Sequence, residues 1–214
     1  MAESLVIVGA GGFGRETIEL VRARQAAGDG IELRGICDDD ERLWGTMVLG
    51  VPVIGGIDTV ADHADCRVVI TIGNPSNFGV RQRVVEKLGL PDDRYATVVH
   101  PTAVIPDSAR IGVGSIVHAA CVFTADVEVG SHVVMMPSVV LTHDDYVGDF
   151  VTFGAGVLVA GGVSIGSGAY IGSGAKIREY RTIGAGSLIG MGSVVTTDVP
   201  GGELWTGVPA RFVR

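Results

Sequence analysis

The chain has 214 residues, 47% hydrophobic and 19% charged, the profile of a globular protein long enough for one large domain or two ordinary ones. Its formal net charge of -8 excludes a broad nucleic-acid-binding face, so an anionic ligand must be met by a local cluster of donors. No segment reaches the roughly 18 apolar residues of a membrane span, and MAESLVIVGAGG lacks a basic n-region, so a cytoplasmic protein without a membrane partner is expected.

Taken in chain order, residues 4 to 100 alternate between strand-like and helix-like patterns. SLVIVGA is a short β-branched run, and FGRETIELVRARQ spaces Ile18 and Val21 as one face of a helix. IELRGICDDD predicts a second strand ending in acids. RVVITIGN predicts a third, followed by a helical VRQRVVEKLG. This alternation predicts a parallel α/β sheet. Between the first strand and helix, Gly9, Gly11, Gly12 and Gly14 fit G-x-G-x-x-G, a spacing that lets backbone N–H groups approach a pyrophosphate at a helix N-terminus. Asp38, at the end of the second strand, lies about where a ribose-binding acid belongs.

After HPTA (His100 to Ala103) the period changes. Steps of six from Ile105 through Val117, Phe123, Leu141, Phe153, Ile177 and onward to Val195 meet sixteen apolar residues without a slip. Were about half of all positions apolar at random, such a run would arise about once in tens of thousands of trials. Glycine recurs just after the column, as in IGVG, FGAG and IGSG. Stacked coils sharing a buried apolar column, a β-helix, account for both features. The three cysteines, Cys37, Cys66 and Cys121, form an odd set without C-x-x-C spacing, so no disulfide framework is expected.

On these hexads the chain resembles the hexapeptide-repeat acyltransferases, whose left-handed parallel β-helix has eighteen residues per triangular coil. GVPAR (Gly207 to Arg211) matches the usual ending of that group. VGAGGFGRE, CDDD, TIGN and the HP junction are similar to a narrower subgroup, the NeuD-like sugar acetyltransferases, which acetylate sialic acids or nucleotide-linked amino sugars. The resemblance implies an α/β plus all-β chain: a Rossmann-like nucleotide-sugar-binding domain over 1–100, a left-handed β-helix over 101–199 and a C-terminal tail over 200–214. It also implies a homotrimer, with active sites in the grooves between neighbouring β-helices and acetyl-CoA as cosubstrate.

The glycine motif alone is equally compatible with an NAD-dependent oxidoreductase, but a hexad β-helix is an improbable substrate domain for hydride transfer. With the resemblance, the diphosphate becomes that of a nucleotide sugar. Asp38 or Asp39 would then contact ribose or base, and Asn74 would line the same pocket.

Within the β-helix, Thr142-His143-Asp144 matches the subgroup's catalytic motif of a histidine followed by an acid. The chemistry suits the residue types. Imidazole titrates near ~6.5 and can take the acceptor's proton as it attacks a thioester. A neighbouring carboxylate, Asp144, can fix the tautomer and stabilise the imidazolium. One coil later by the family's count, Gly161 offers a backbone N–H for the oxyanion. The family's placement of pantetheine makes Ala160, Gly161, Gly162 and Ile177 flank it, with Arg178 and Arg211 among the cations for the CoA phosphates. Asp145 falls in an inward column in which only it and Arg181 are charged, so it should either be hydrogen-bonded or sit where the coil opens. One reading gives it a part in assisting His143. His118 and His132 share no spacing with His143 that makes three metal ligands, and no metal is expected. The preferred activity is acetyl transfer to the amine of a nucleotide-linked amino-dideoxy sugar. O-acetylation of a sialic acid or other sugar hydroxyl is the alternative enzyme, and a nucleotide-sugar-binding scaffold the alternative without catalysis.

Overall fold

A computed structural model describes residues 3–73, 77 and 79–214. The chain divides into two compact units, Met1–Pro101 and Thr102–Arg214.

In the first unit, β1 (Glu3–Val8), β2 (Ile31–Cys37), β4 (Val51–Gly55) and β5 (Arg67–Ile70) run parallel, and β3 (Met47–Val48) pairs antiparallel with β4 at one edge. The order β3-β4-β2-β1-β5 is that of one mononucleotide-binding half of a doubly wound sheet. Leu5 to Val8 have no exposed surface because β1 is covered on both faces, which is why SLVIV reads as a continuous apolar run. Helices α1 (Gly12–Ala26) and α2 (Val80–Leu88) follow β1 and β5. The antiparallel edge was not expected. It arises at Leu49 and Gly50, whose φ angles of 48° and 75° make a two-residue hairpin turn that lacks the usual Asn-Gly signal.

In the second unit, two-residue strands recur every six residues from Arg110–Ile111 to Val194–Val195. Each pairs in parallel with the strand eighteen residues away: Val140–Leu141 lies between Val122–Phe123 and Leu158–Val159. Three sheets therefore form the sides of a coil. Every column residue from Val117 to Val195 is at most 5% exposed. Burying each such side chain contributes about 1.5–3 kcal/mol, so the column is the principal store of stability in this unit. Ile105 and Ile111, at the open first coil, are only partly buried.

The C-terminal segment does not leave the coil. Leu204–Gly207 pairs in parallel with Leu188–Ile189, then turns back as an antiparallel hairpin with Ala210–Phe212. Cys37, Cys66 and Cys121 are free and buried.

Candidate active site

In the α/β unit the four glycines of the loop divide into two pairs. A Cβ on Gly14 would come within 2.1 Å of Gly9 O, and Gly9 itself has φ +108° against Thr71 and Ile72. These two allow the first turn of α1 to sit on the end of β1. Gly11 and Gly12 face open space: an added Cβ would meet nothing within 4 Å at Gly11, and only the Arg15 guanidinium at 3.9 Å at Gly12. Gly11 is the N-cap of α1 without a side-chain cap, and no acid stands in the first turn. The helix start thus lacks a side-chain cap at Gly11 and carries a positive dipole.

Asp38 is engaged by this loop. Its Oδ2 accepts Ala10 N–H at 2.7 Å and its Oδ1 accepts Asp40 N–H at 2.9 Å. Asp39 accepts Ile57 N–H at 2.8 Å. Both acids expected to meet ribose or base therefore hold backbone first, because short acids after a strand find nearby N–H groups. Asn74 lies outside the described residues. Thr71, not singled out in the sequence, donates to Val8 O and Gly9 O at 2.9 Å each and pins the loop from beneath.

In the β-helix, His143 and Asp144 form the turn after the strand Val140–Leu141. His143 Nδ1 stands 2.8 Å from Asp144 Oδ2, and both side chains are more than half exposed. An Nδ1–H donating to that carboxylate leaves Nε2 with a free lone pair. Asp144 has φ 61°, a left-handed conformation that Asp tolerates better than most residues.

The ring leans over the next coil. A Cβ on Gly161 would lie 2.4 Å from His143 Nε2 and 2.5 Å from Cε1, so the ring occupies the space that any side chain there would take. Gly162 N–H donates to His143 O at 2.8 Å and fixes the spacing of the two turns. Gly161 N–H has no hydrogen-bond partner among the described residues. Tyr180, eighteen residues after Gly162, closes the other side: its ring fills the place of a Gly162 Cβ, 2.5 Å from the ring's Cδ1. It is 67% exposed, and its φ of 55° is the corner conformation that His132, Asp144 and Phe150 also adopt on other coils. Two bare Cα atoms are thus walled by an imidazole and a phenol.

Asp145 is buried, with Oδ2 accepting Thr142 N–H at 2.8 Å and Oδ1 accepting Val163 N–H at 2.9 Å. Burial pushes its carboxyl up to about 6, against the two backbone N–H groups and the His143 charge, which favour the anion.

The remaining residues fall out as follows. Ile177 is 2% exposed and points into the column, so the expectation that it flanks a ligand is corrected: an inward side chain cannot reach the groove, and Lys176 and Arg178 bracket it outside. Arg178 pairs with Glu179 at 3.2 Å. Arg181 meets Asp198 at 3.5 Å, turning outward from the inward column in which the sequence places it. Arg211 is exposed on the C-terminal hairpin. His118 and His132 are buried, His132 stacked on Phe150 with centroids 5.0 Å apart. Burial pushes the Cys121 thiol up, which suits a core residue and not a nucleophile. Among the described residues no three His, Cys, Asp or Glu are grouped to hold a metal ion, and no helix is long and apolar enough to cross a membrane.

Known proteins share these features. Residues 4–88 match the family described as the PglD N-terminal domain, and residues 146–179 match the bacterial transferase hexapeptide, six repeats. UDP-N-acetylbacillosamine N-acetyltransferase of Bacillus subtilis is 32% identical over 116 residues, 53% of this chain and 50% of that enzyme, so the match spans half of that relative's length. The acetyltransferase domain of PglB from Neisseria gonorrhoeae, in complex with acetyl coenzyme A, superposes with a TM-score of 0.86 at 28% identity over 100% of both chains. PerB from Caulobacter crescentus, in complex with CoA and GDP-perosamine, gives 0.85 at 32% identity over 100% of this chain and 99% of that one. A histidine mutant of perosamine N-acetyltransferase from the same organism, also with CoA and GDP-perosamine, gives 0.85 at 32%. The coil is accordingly a left-handed parallel β-helix that follows a Rossmann-like unit in the chain.

Proposed function

Since the chain belongs to the hexapeptide-repeat sugar N-acetyltransferases with a PglD-type N-terminal domain, we propose that it transfers acetyl from acetyl-CoA to the amine of a nucleotide-linked amino sugar, with His143 as general base. The observation that carries this reading is the His143 ring, tautomer set by Asp144, lying over the bare Cα of Gly161. The Bacillus subtilis relative and the perosamine enzyme are named as N-acetyltransferases, which favours the amine of an amino-dideoxy sugar over a sugar hydroxyl.

In the transfer, the acceptor nitrogen attacks the thioester carbonyl carbon. The new N–C bond forms as His143 Nε2 takes the amine proton. Negative charge gathers on the carbonyl oxygen, where Gly161 N–H donates. The C–S bond then breaks, and the imidazolium returns its proton to the departing thiolate. Asp144 balances the imidazolium while it exists. No acyl-enzyme is formed, in keeping with the raised Cys121 thiol. Base catalysis of this kind is worth roughly 10²–10⁴-fold, and positioning supplies much of the rest.

The strip Ala160-Gly161-Gly162 carries no side chain larger than methyl, which suits close approach of pantetheine, with exposed Arg178 and Arg211 available to the CoA phosphates. The nucleotide belongs to the α/β unit, its diphosphate at Gly11 and Gly12 on the open end of α1, with Gly9 and Gly14 shaping the loop. Asp38 holds that loop and Asp39 stands beside it, while Asn74 remains assigned on the resemblance alone. A homotrimer is part of the reading. On that side of the coil Val122, Val140 and Leu158 stand outward on successive strands, followed by Lys176 and Val194, and the apolar stretch of the first three suits contact with another copy.

The test is thiol release from acetyl-CoA with a panel of nucleotide-linked amino sugars and hydroxyl controls. His143→Ala should lower kcat by about 10²–10⁴-fold with the fold intact. A full rate in that variant removes His143 as base, and release with hydroxyl acceptors only removes the amine.

A further inference from the structure

The turn Thr142-His143-Asp144-Asp145 ends on a carboxylate that a β-helix does not require. On the coils before and after, the equivalent inward position is Val127 and Val163, both essentially without exposed surface. At another corner stands Ser115, whose Oγ accepts Val133 N–H at 3.1 Å across the same eighteen-residue step by which Asp145 Oδ1 accepts Val163 N–H. A hydroxyl is therefore enough to join coil to coil. After Val151 and Val157 the next coil's N–H turns to its own turn instead, Ala169 N–H to Gly166 O at 3.3 Å and Ala175 N–H to Gly172 O at 3.1 Å. Burying a carboxyl group here costs stability that a serine or valine would not cost.

What distinguishes Asp145 is its second oxygen. Ser115 uses its remaining capacity to donate to Gly130 O at 3.1 Å. Asp145 instead turns Oδ2 to Thr142 N–H, at 2.8 Å, closing a bracket beneath the turn with His143 at its apex. One carboxylate thus grips the peptide that enters His143 and the strand that leaves Gly161 and Gly162. Thr142 Oγ1 adds a bond to Val159 O at 3.0 Å on the same coil as the glycines.

We propose that Asp145 is a positioning residue for the transfer reaction: by accepting Thr142 N–H and Val163 N–H together, it locks two successive turns so that the His143 ring stays over Gly161. The inference rests on the assignment of His143 as base. Asp145 acts through backbone and touches no substrate. Its effect is on geometry, where a displacement of about 1 Å at a reacting group can cost about 10²-fold in rate.

Two variants separate this role from simple packing. Asp145→Val supplies the side chain of the neighbouring coils. Asp145→Ser keeps an acceptor for Val163 N–H, as at Ser115, and loses only the bracket under Thr142. Both should unfold cooperatively, with Asp145→Ser melting close to the wild type. Both should lower kcat at least tenfold while KM for acetyl-CoA stays within about twofold. A readout independent of turnover is the ¹⁵N NMR signature of the His143 ring, assigned by its loss in His143→Ala. The wild type should show one fixed tautomer, and the variants averaged or shifted ring signals. Unchanged kcat and unchanged ring signals in Asp145→Ser overturn the inference. If Asp145→Val fails to fold, Asp145→Ser decides by the same readouts. If the wild type releases no thiol with any acceptor, the transfer reading fails instead, and the ring signals still decide whether Asp145 positions His143.

Discussion

In the α/β unit Gly9 and Gly14 let backbone meet backbone, whereas in the β-helix Gly161 and Gly162 let the rings of His143 and Tyr180 settle over bare Cα atoms. The first use builds a loop with open space beside Gly11 and Gly12 and no side-chain cap on the helix. The second builds a floor between two walls. The difference teaches that one residue type closes a backbone turn in one unit and makes room for side-chain rings in the other, and the two should fail differently when a methyl group is added.

The largest effect is expected at the floor. Gly161→Ala forces the His143 ring from its place, and kcat should fall on the order of 10²-fold or more, with KM for the nucleotide sugar little changed; steady-state kinetics with acetyl-CoA and the accepted sugar checks this. In the other unit, Gly14→Ala drives a methyl group onto Gly9 O and should destabilise the chain by about 1–3 kcal/mol, read as a lowered melting temperature. Gly11→Ala meets no atom and should melt nearly as the wild type. Its KM for the nucleotide sugar should rise with kcat preserved, and an unchanged KM would detach that loop from the diphosphate.

A pH dependence sharpens the comparison between the catalytic turn and its plain neighbours. Folded Asp145 holds its proton up to about 6, while in the unfolded chain it releases it near 3.8, as an ordinary aspartate does. The titratable groups that act on it are His143 and Asp144, one favouring and one opposing ionisation. Between those values the folded state binds more protons, so this group's contribution to stability is present at low pH and is lost as pH rises through about 6. Its size is on the order of 3 kcal/mol. Denaturant titrations at pH 4 and pH 7 should show this slope in the wild type and not in Asp145→Val. The smallest effect is expected at Gly168, a corner glycine with φ +70° and open space around it. Gly168→Ala should cost about 1 kcal/mol through strain alone and leave turnover intact, the contrast that gives the Gly161 result its meaning.

Where the fold repeats, the sequence could be read directly. A six-residue period places Leu141 inward, and the eighteen-residue coil implied by the resemblance puts Gly161 beside His143, because each coil is stacked in register on the last. The same step from Gly162 reaches Tyr180, which was overlooked because an exposed tyrosine carries no signal until the bare Cα beneath it is known. Ile177 was misassigned to a ligand although its own column marks it as core. Where the fold does not repeat, less was legible. The strands and helices of the α/β unit follow from apolar runs, but the β3–β4 hairpin rests on two positive φ angles at Leu49 and Gly50. The use of Asp38 on Ala10 N–H depends on how a loop closes in space, which spacing along the chain does not encode. Asp145 lies between these cases: its inward place follows from the period, and its two acceptor bonds appear only in the coordinates.

The central claim is that chemistry takes place where the His143 ring overlies Gly161. A crystal structure of the chain with CoA and the nucleotide-linked amino sugar tests it most directly. The account predicts the CoA sulfur and the sugar amine both within about 3.5 Å of that corner, the amine on His143 Nε2. Sulfur and amine meeting at any other edge of the coil would contradict it.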